Sequence, residues 1–574
     1  MGGVALTAFT PAVALASCTP TPAGTTAGAA ANAQGVQTCG AGDPGVYYNA
    51  TGNLNLDFTG EAVAPNGVGV TNGGAWNVIL GINTTTETAG NIANTGGVGI
   101  SLNGGTGGDV ELDTGSAALG SFAGATVTGS TDGIDTSTGG AGTTKVNVYN
   151  TVTGASGNGI SVIAGTGAVT VNAMTNTGGG VTVTGGGTAG ISVFGGGAVT
   201  ISAPGNTTGA TYGIYSVLAG GPTTVTAGNT SGLDAIVVQN SAGDVTINSN
   251  GTATGGSQFI AISALTGSGN VTVTTKDVVN GIDAGGATNG LVTITTNGNV
   301  TGANGVTVDN GAGGGMAGSA SVTLNGNVNN NATPTFYGTG VSINTSGGGG
   351  GITLTSAAGT DISSSNGSGV VLTSDTGNIV ANLSGTVGGA EQVAGDGIDA
   401  TTAVVFSKST ISITTAGVNA ADNGIVASNG GSGFTSVTVN GNVTGASGVG
   451  IKATTLTENP ANGTGADTVT LAGNVSVTAG GDGIDMSVDL YGNATLTLGA
   501  NNTISAGGNG VDVQGFGTGA ITIGTATKDD QSGLIQTTGF LTDGIVAQQG
   551  ATATGGIDID FGGNIEATGF FGGS

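Results

Sequence analysis

The sequence predicts an all-β protein, a right-handed parallel β-helix (β-solenoid) of roughly 18 coils with an N-terminal cap. Three observations lead there. A repeat written in Val, Thr, Gly and Asn recurs from about residue 66 to the last residue, with a period of about 20 to 35 residues. Inside each unit a Val-Thr-Val or Ile-Thr-Ile triplet alternates apolar with polar, as in Val437-Thr438-Val439. A Gly followed by a branched aliphatic then closes the unit, as at Ile100, Ile134, Ile160, Ile191, Ile214, Ile282, Val306, Val341, Val370, Ile398, Ile425, Ile451, Ile484, Val511 and Ile545.

Each element of the unit has a physical reason. Alternation with period two sends Val437, Val439 and Val443 to one face and Thr438 to the other, which describes a short half-buried strand. The intervening Gly, Asn, Asp and Ser tolerate positive φ and make tight turns, and no stretch sustains helical spacing. A strand of three or four residues cannot bury its apolar face alone. Stacked at ~4.8 Å per coil, successive strands pair above and below, so the coils would build a solenoid about 85 Å long. Val and Ile ladders fill its interior, and Thr, Asn and Ser coat it.

A disordered glycine-rich chain is the competing reading, since 123 of 574 residues are Gly. Disorder pairs low hydrophobicity with high charge. Here 37% of residues are hydrophobic, 6% are charged and the mean hydropathy is +0.25. The alternation also stays in phase with the turn signals over most of the chain, which favours the solenoid.

Composition removes most chemistry. There is no His, and the five basic residues are all lysines, Lys145, Lys276, Lys408, Lys452 and Lys528. Ser-His-Asp or Cys-His catalysis, His-ligated metals and Arg clamps therefore lack their parts. The 32 acidic residues are scattered along the chain instead of converging as a hydrolase or lyase would need, so no catalysis, no cofactor and no catalytic or metal site is expected. A net charge of −27 argues against nucleic acid and anionic membranes. Gly347 to Gly351 lacks a following Gly-Lys-Ser/Thr and reads as a turn. One acidic pattern recurs at Asp132-Gly133-Ile134-Asp135, Asp396-Gly397-Ile398-Asp399 and Asp482-Gly483-Ile484-Asp485, with a shorter form at Gly281-Ile282-Asp283. The last full copy, with Gly480 and Gly481 ahead of it, resembles the calcium-binding nonapeptide of repeat toxins, but the copies do not recur every nine residues. A turn in which Asp caps the loop is the plainer reading.

The N-terminus carries an address. Val4 to Ala16 is a short apolar run ending in Ala14-Leu15-Ala16, a small-x-small signal-peptidase pattern, although no basic residue precedes it. Residues 1–16 are thus a signal-peptide remnant, residues 17–65 the cap and residues 66–574 the β-helix. The two cysteines, Cys18 and Cys39, both fall in the cap. A disulfide between them would close a loop of about 20 residues, worth roughly 3 kcal/mol. Leu15-Ala16-Ser17-Cys18 also fits a lipoprotein box, which leaves lipidation of Cys18 as the alternative.

The signal remnant, Cys18-Thr19-Pro20, Thr38-Cys39-Gly40 and the Gly/Thr/Val/Asn repeat together resemble the N-terminal passenger of a bacterial type V autotransporter. This resemblance spans the whole chain. It implies export to the cell surface through an outer-membrane β-barrel and a role as adhesin or scaffold, with a surface receptor or glycan as partner. No run of barrel strands follows the repeats, and the repeat phase persists to Gly569-Phe570-Phe571-Gly572-Gly573-Ser574, so the reading frame is expected to continue into a barrel. The serine-protease motif Gly-Asp-Ser-Gly is absent. A second expectation is an extracellular fibre or sheath built by end-to-end stacking of copies of this chain.

Overall fold

The structure is a computed structural model. It describes residues 92–568 apart from 115–125, 175–179, 287–289, 311–317, 331–337, 390, 405–406, 457–464, 490, 526–532 and 551–553. Ahead of residue 92 it gives the backbone of five strands, Ala33–Thr38, Val46–Ala50, Leu54–Thr59, Val68–Asn72 and Val78–Ile82. Among the described residues strand accounts for 55% and helix for none, and the fold is the right-handed parallel β-helix that the repeat predicts.

One coil illustrates the construction. Phe434–Val439 lies in a first sheet, Val443–Gly445 in a second and Ile451–Thr455 in a third. Each strand pairs in parallel with its counterpart one coil away: Val437 with Val469, Val443 with Val477 and Ile451 with Ile484. Val437, Val439 and Val443 are buried as expected, and Thr438 is half-buried on the outer face.

Contacts divide the chain into two units, Met1–Ala210 and Thr211–Ser574. In the first unit the third-sheet ladder runs Val68, Ile100, Ile134, Ile160, Ile191. Its second-sheet ladder runs Ile92, Val127, Val152, Val183, and its first-sheet ladder Val110, Thr144, Val169, Val199. Parallel pairing is already present ahead of residue 66, where Ala33–Thr38 aligns with Leu54–Thr59 and the latter with Val78–Ile82. The ladders therefore reach further toward the N-terminus than the repeat signal does.

In the second unit the third-sheet ladder passes through Ile214, Ile236, Ile262, Ile282, Val306, Val341, Val370, Ile398, Ile425, Ile451, Ile484, Val511 and Ile545. Every Gly-aliphatic anchor of this half is there. Two rungs, Ile236 and Ile262, carry Ala235 and Ala261 in place of the glycine, so the dipeptide signal skips them. The side chains of this column are buried as far as Val511, and burying each branched aliphatic contributes about 1.5–3 kcal/mol.

The anchor glycines answer to close approach. A Cβ on Gly450 would lie 2.5 Å from the Gly483 carbonyl oxygen and 2.5 Å from Val477 Cγ1, both on the next coil. The corner between the second and third sheets is thus closed by backbone against backbone.

The interior is less uniform than the alternation predicts. Threonines coat the outer face, yet Thr266, Thr275, Thr296, Thr345, Thr402, Thr415, Thr435 and Thr455 are buried. They sit at strand ends, where the chain turns and backbone groups leave the ladder. There a hydroxyl can reach the turn: Thr345 Oγ1 donates to the Gly350 carbonyl at 2.9 Å, and Thr266 Oγ1 donates to Gly243 and Ser268 carbonyls at 2.8 and 2.9 Å.

Candidate functional site

The Asp-Gly-Ile-Asp segments all occupy the corner between the second and third sheets. Their first aspartate faces the next coil. Asp132 Oδ1 accepts the Asn158 N–H at 2.5 Å, Asp396 Oδ1 accepts the Asn423 N–H at 3.1 Å and its Nδ2 at 2.7 Å, and Asp482 Oδ1 accepts the Asn509 N–H at 2.6 Å. The asparagines hand the arrangement on, since Asn158, Asn423 and Asn509 Oδ1 accept the N–H groups of Ala189, Val449 and Asp543. These side chains tie one coil to the next at a turn, which is the capping role the plainer reading assigns.

The last aspartate of the segment is an outward third-sheet residue. Burial raises the carboxyls of Asp135 and Asp399, against hydrogen bonds from Ser161 and Thr401 respectively and with help from Asp132 and Asp396. Asp283 is raised by burial and then by Asp309. Asp485 pairs with Lys452 at 3.3 Å, and Glu111 pairs with Lys145 at 2.7 Å. Both pairs join register partners on adjacent coils.

Among the described residues two acidic side chains are buried, Asp361, whose Oδ1 accepts from the Thr386 hydroxyl and the Gly389 N–H, and Asp467. Asp467 stands in the inward column of the first sheet between Thr435 and Ala494 and is fully buried. Thr455 Oγ1 donates to its Oδ1 at 2.5 Å and lies 2.7 Å from the Thr435 hydroxyl, while Asp467 Oδ2 has no hydrogen-bond partner. Burial pushes the carboxyl up to about 7; the Thr455 and Thr435 hydrogen bonds oppose this, and Asp485 adds to it. Thr402, Ser409 and Asn429 extend the polar interior on neighbouring coils, with Thr402 and Ser409 hydroxyls donating to Asn429 Oδ1 at 2.7 and 3.1 Å.

Outside this polar corner the third sheet carries a groove of about 560 Å³. Thr401, Ser428, Thr454, Ser487 and Gln514 are register partners on five consecutive coils and all line it. Lys452 and Asp485 line it beside them, with Asn429 and Leu456 also in the wall. Leu456 is 46% exposed. Sequence reading missed this site, because its residues are ordinary outward positions until the coils are stacked. Aligning each unit on its anchor would have found the column, which falls three residues after Ile398, Ile425, Ile451, Ile484 and Val511.

Cys18, Cys39, the signal remnant and Phe570 and Phe571 lie outside the described residues. Among the described residues no helix is long and apolar enough to cross a membrane. Comparison with known proteins finds no matching family model, no matching curated protein and no matching solved structure.

Proposed function

We propose that the chain is the β-helical passenger of a bacterial surface display system of the autotransporter kind, exported and presented as an adhesin or scaffold without catalysis. The observation that carries this reading is where the polar chemistry goes. The recurring aspartates cap the next coil, the lysine pairs bridge register partners, and the polar interior serves turns, so the side chains that could do chemistry hold coils together. What remains outward is a field of short hydroxyl, amide and carboxylate side chains suited to contact with a hydrated partner. Antibodies raised against this chain should label intact, unpermeabilised producing cells, and external protease should remove the label. Antigen reached only after lysis would overturn the reading.

A further inference from the structure

The third-sheet groove has a chemistry of its own. Its column repeats once per coil at ~4.8 Å: the Ser428 and Ser487 hydroxyls can donate and accept, Thr401 and Gln514, which donate to Asp399 and Asp512 at 3.1 and 3.3 Å, keep oxygens that accept, and the Thr454 hydroxyl is buried in the wall. The two charged residues that line it, Lys452 and Asp485, pair with each other at 3.3 Å. An anion would also approach a chain of net charge −27. A metal ion finds no support, since no group of three His, Cys, Asp or Glu residues that could hold one occurs among the described residues. The volume is that of a small-molecule site, and Leu456 gives an apolar patch at its edge.

A ligand matched to this wall is uncharged, carries many hydroxyls that alternate as donors and acceptors, keeps an apolar C–H face and is extended along the coil axis. We propose that the groove binds a neutral linear oligosaccharide, whose hydroxyls pair with Thr401, Ser428, Ser487 and Gln514 of the column. The proposal deepens the display reading and rests on it for the ligand being met outside the cell, but the binding is testable by itself.

The full chain is applied to an array of neutral, sialylated and sulfated oligosaccharides, and the best neutral linear trisaccharide or tetrasaccharide is then titrated by calorimetry. Ser428→Trp and Ser487→Trp fill the groove on two different coils, Gln514→Ala removes one amide at its end, and Thr438→Trp places the same bulk on the outer face of the first sheet. Binding should fall at least about tenfold in each groove Trp variant and about three- to tenfold in Gln514→Ala, the loss of one hydrogen bond to ligand, while Thr438→Trp stays within about twofold. Should a Trp variant melt early, Gln514→Ala decides. No binding to any neutral oligosaccharide, preference for the sialylated or sulfated probes, or unchanged affinity in Gln514→Ala with the groove Trp variants would overturn the proposal. Labelled cells with no saccharide binding would remove the groove alone, and saccharide binding by a protein found only inside cells would remove the display reading alone.

Discussion

Val439 and Thr438 are neighbours in sequence and opposite in environment, the first fully buried and the second half-buried on the outer face. A carboxylate at position 439 would face the aliphatic ladder without a partner. Val439→Asp should cost roughly 3 kcal/mol or more, whereas Thr438→Asp should cost under about 1 kcal/mol. Thermal melts of the two variants check this, and equal melting temperatures would refute it. Asp467 is nature's own version of the same experiment. Its carboxyl is pushed up to about 7 from an ordinary 3.8, so the unfolded chain releases the proton before the folded chain does. The stability it contributes is present at acid pH and is lost as pH rises from about 4 to about 7, at up to about 1.4 kcal/mol per unit. Asp467→Asn should flatten that slope and raise the melting temperature at pH 8, with little change at pH 4. A lower melting temperature at pH 8 would show that the ionised carboxylate is needed. This residue was legible: in Ala466-Asp467-Thr468-Val469-Thr470-Leu471 the aspartate is in phase with Val469 and Leu471, so the alternation itself places it inside.

At the scale of the coil, what the sequence announced best was the corner. The Gly-aliphatic anchor marks a place where backbone meets backbone, and only a residue without a Cβ satisfies that distance at Gly450. Gly450→Val should destabilise the second unit by several kcal/mol through displaced backbone, while Gly556→Ala, whose Cβ would meet nothing within 4 Å, should be neutral or slightly stabilising. Calorimetric melts of the two variants test the contrast. The anchor signal failed at Ile236 and Ile262 because alanine takes the glycine's place there, and the ladder rather than the dipeptide is what the fold preserves. Turn-facing threonines were misjudged for a related reason. Alternation says which face a residue takes, but it is silent about strand ends, where the buried hydroxyls of Thr266, Thr345 and Thr415 answer turn carbonyls and those of Thr402, Thr435 and Thr455 bond polar side chains. The groove was invisible for a third reason, since it exists only when residues 26 to 33 positions apart are laid side by side by register.

For the whole molecule, the fold class was readable because one rule is applied again and again, and each unit obeys it within itself. Function was less readable because a stacking rule consumes most of the informative residues. The cysteine pair belongs to this scale as well: peptides mapped under non-reducing conditions should show Cys18 linked to Cys39, and a diacylglyceryl group on Cys18 would establish lipidation instead. Parallel in-register stacking is the central claim, and it fixes which distant residues are neighbours. Thr438 aligns with Thr470 on the next coil, and Thr470 with Thr497 on the one after. The most direct test is cysteine pairing followed by mass spectrometry of the linked peptides. Thr438→Cys with Thr470→Cys should cross-link readily under a short bifunctional reagent, and Thr438→Cys with Thr497→Cys, about 10 Å apart across two coils, should not. Equal linking of both pairs, or linking of neither, would contradict the register on which the account stands.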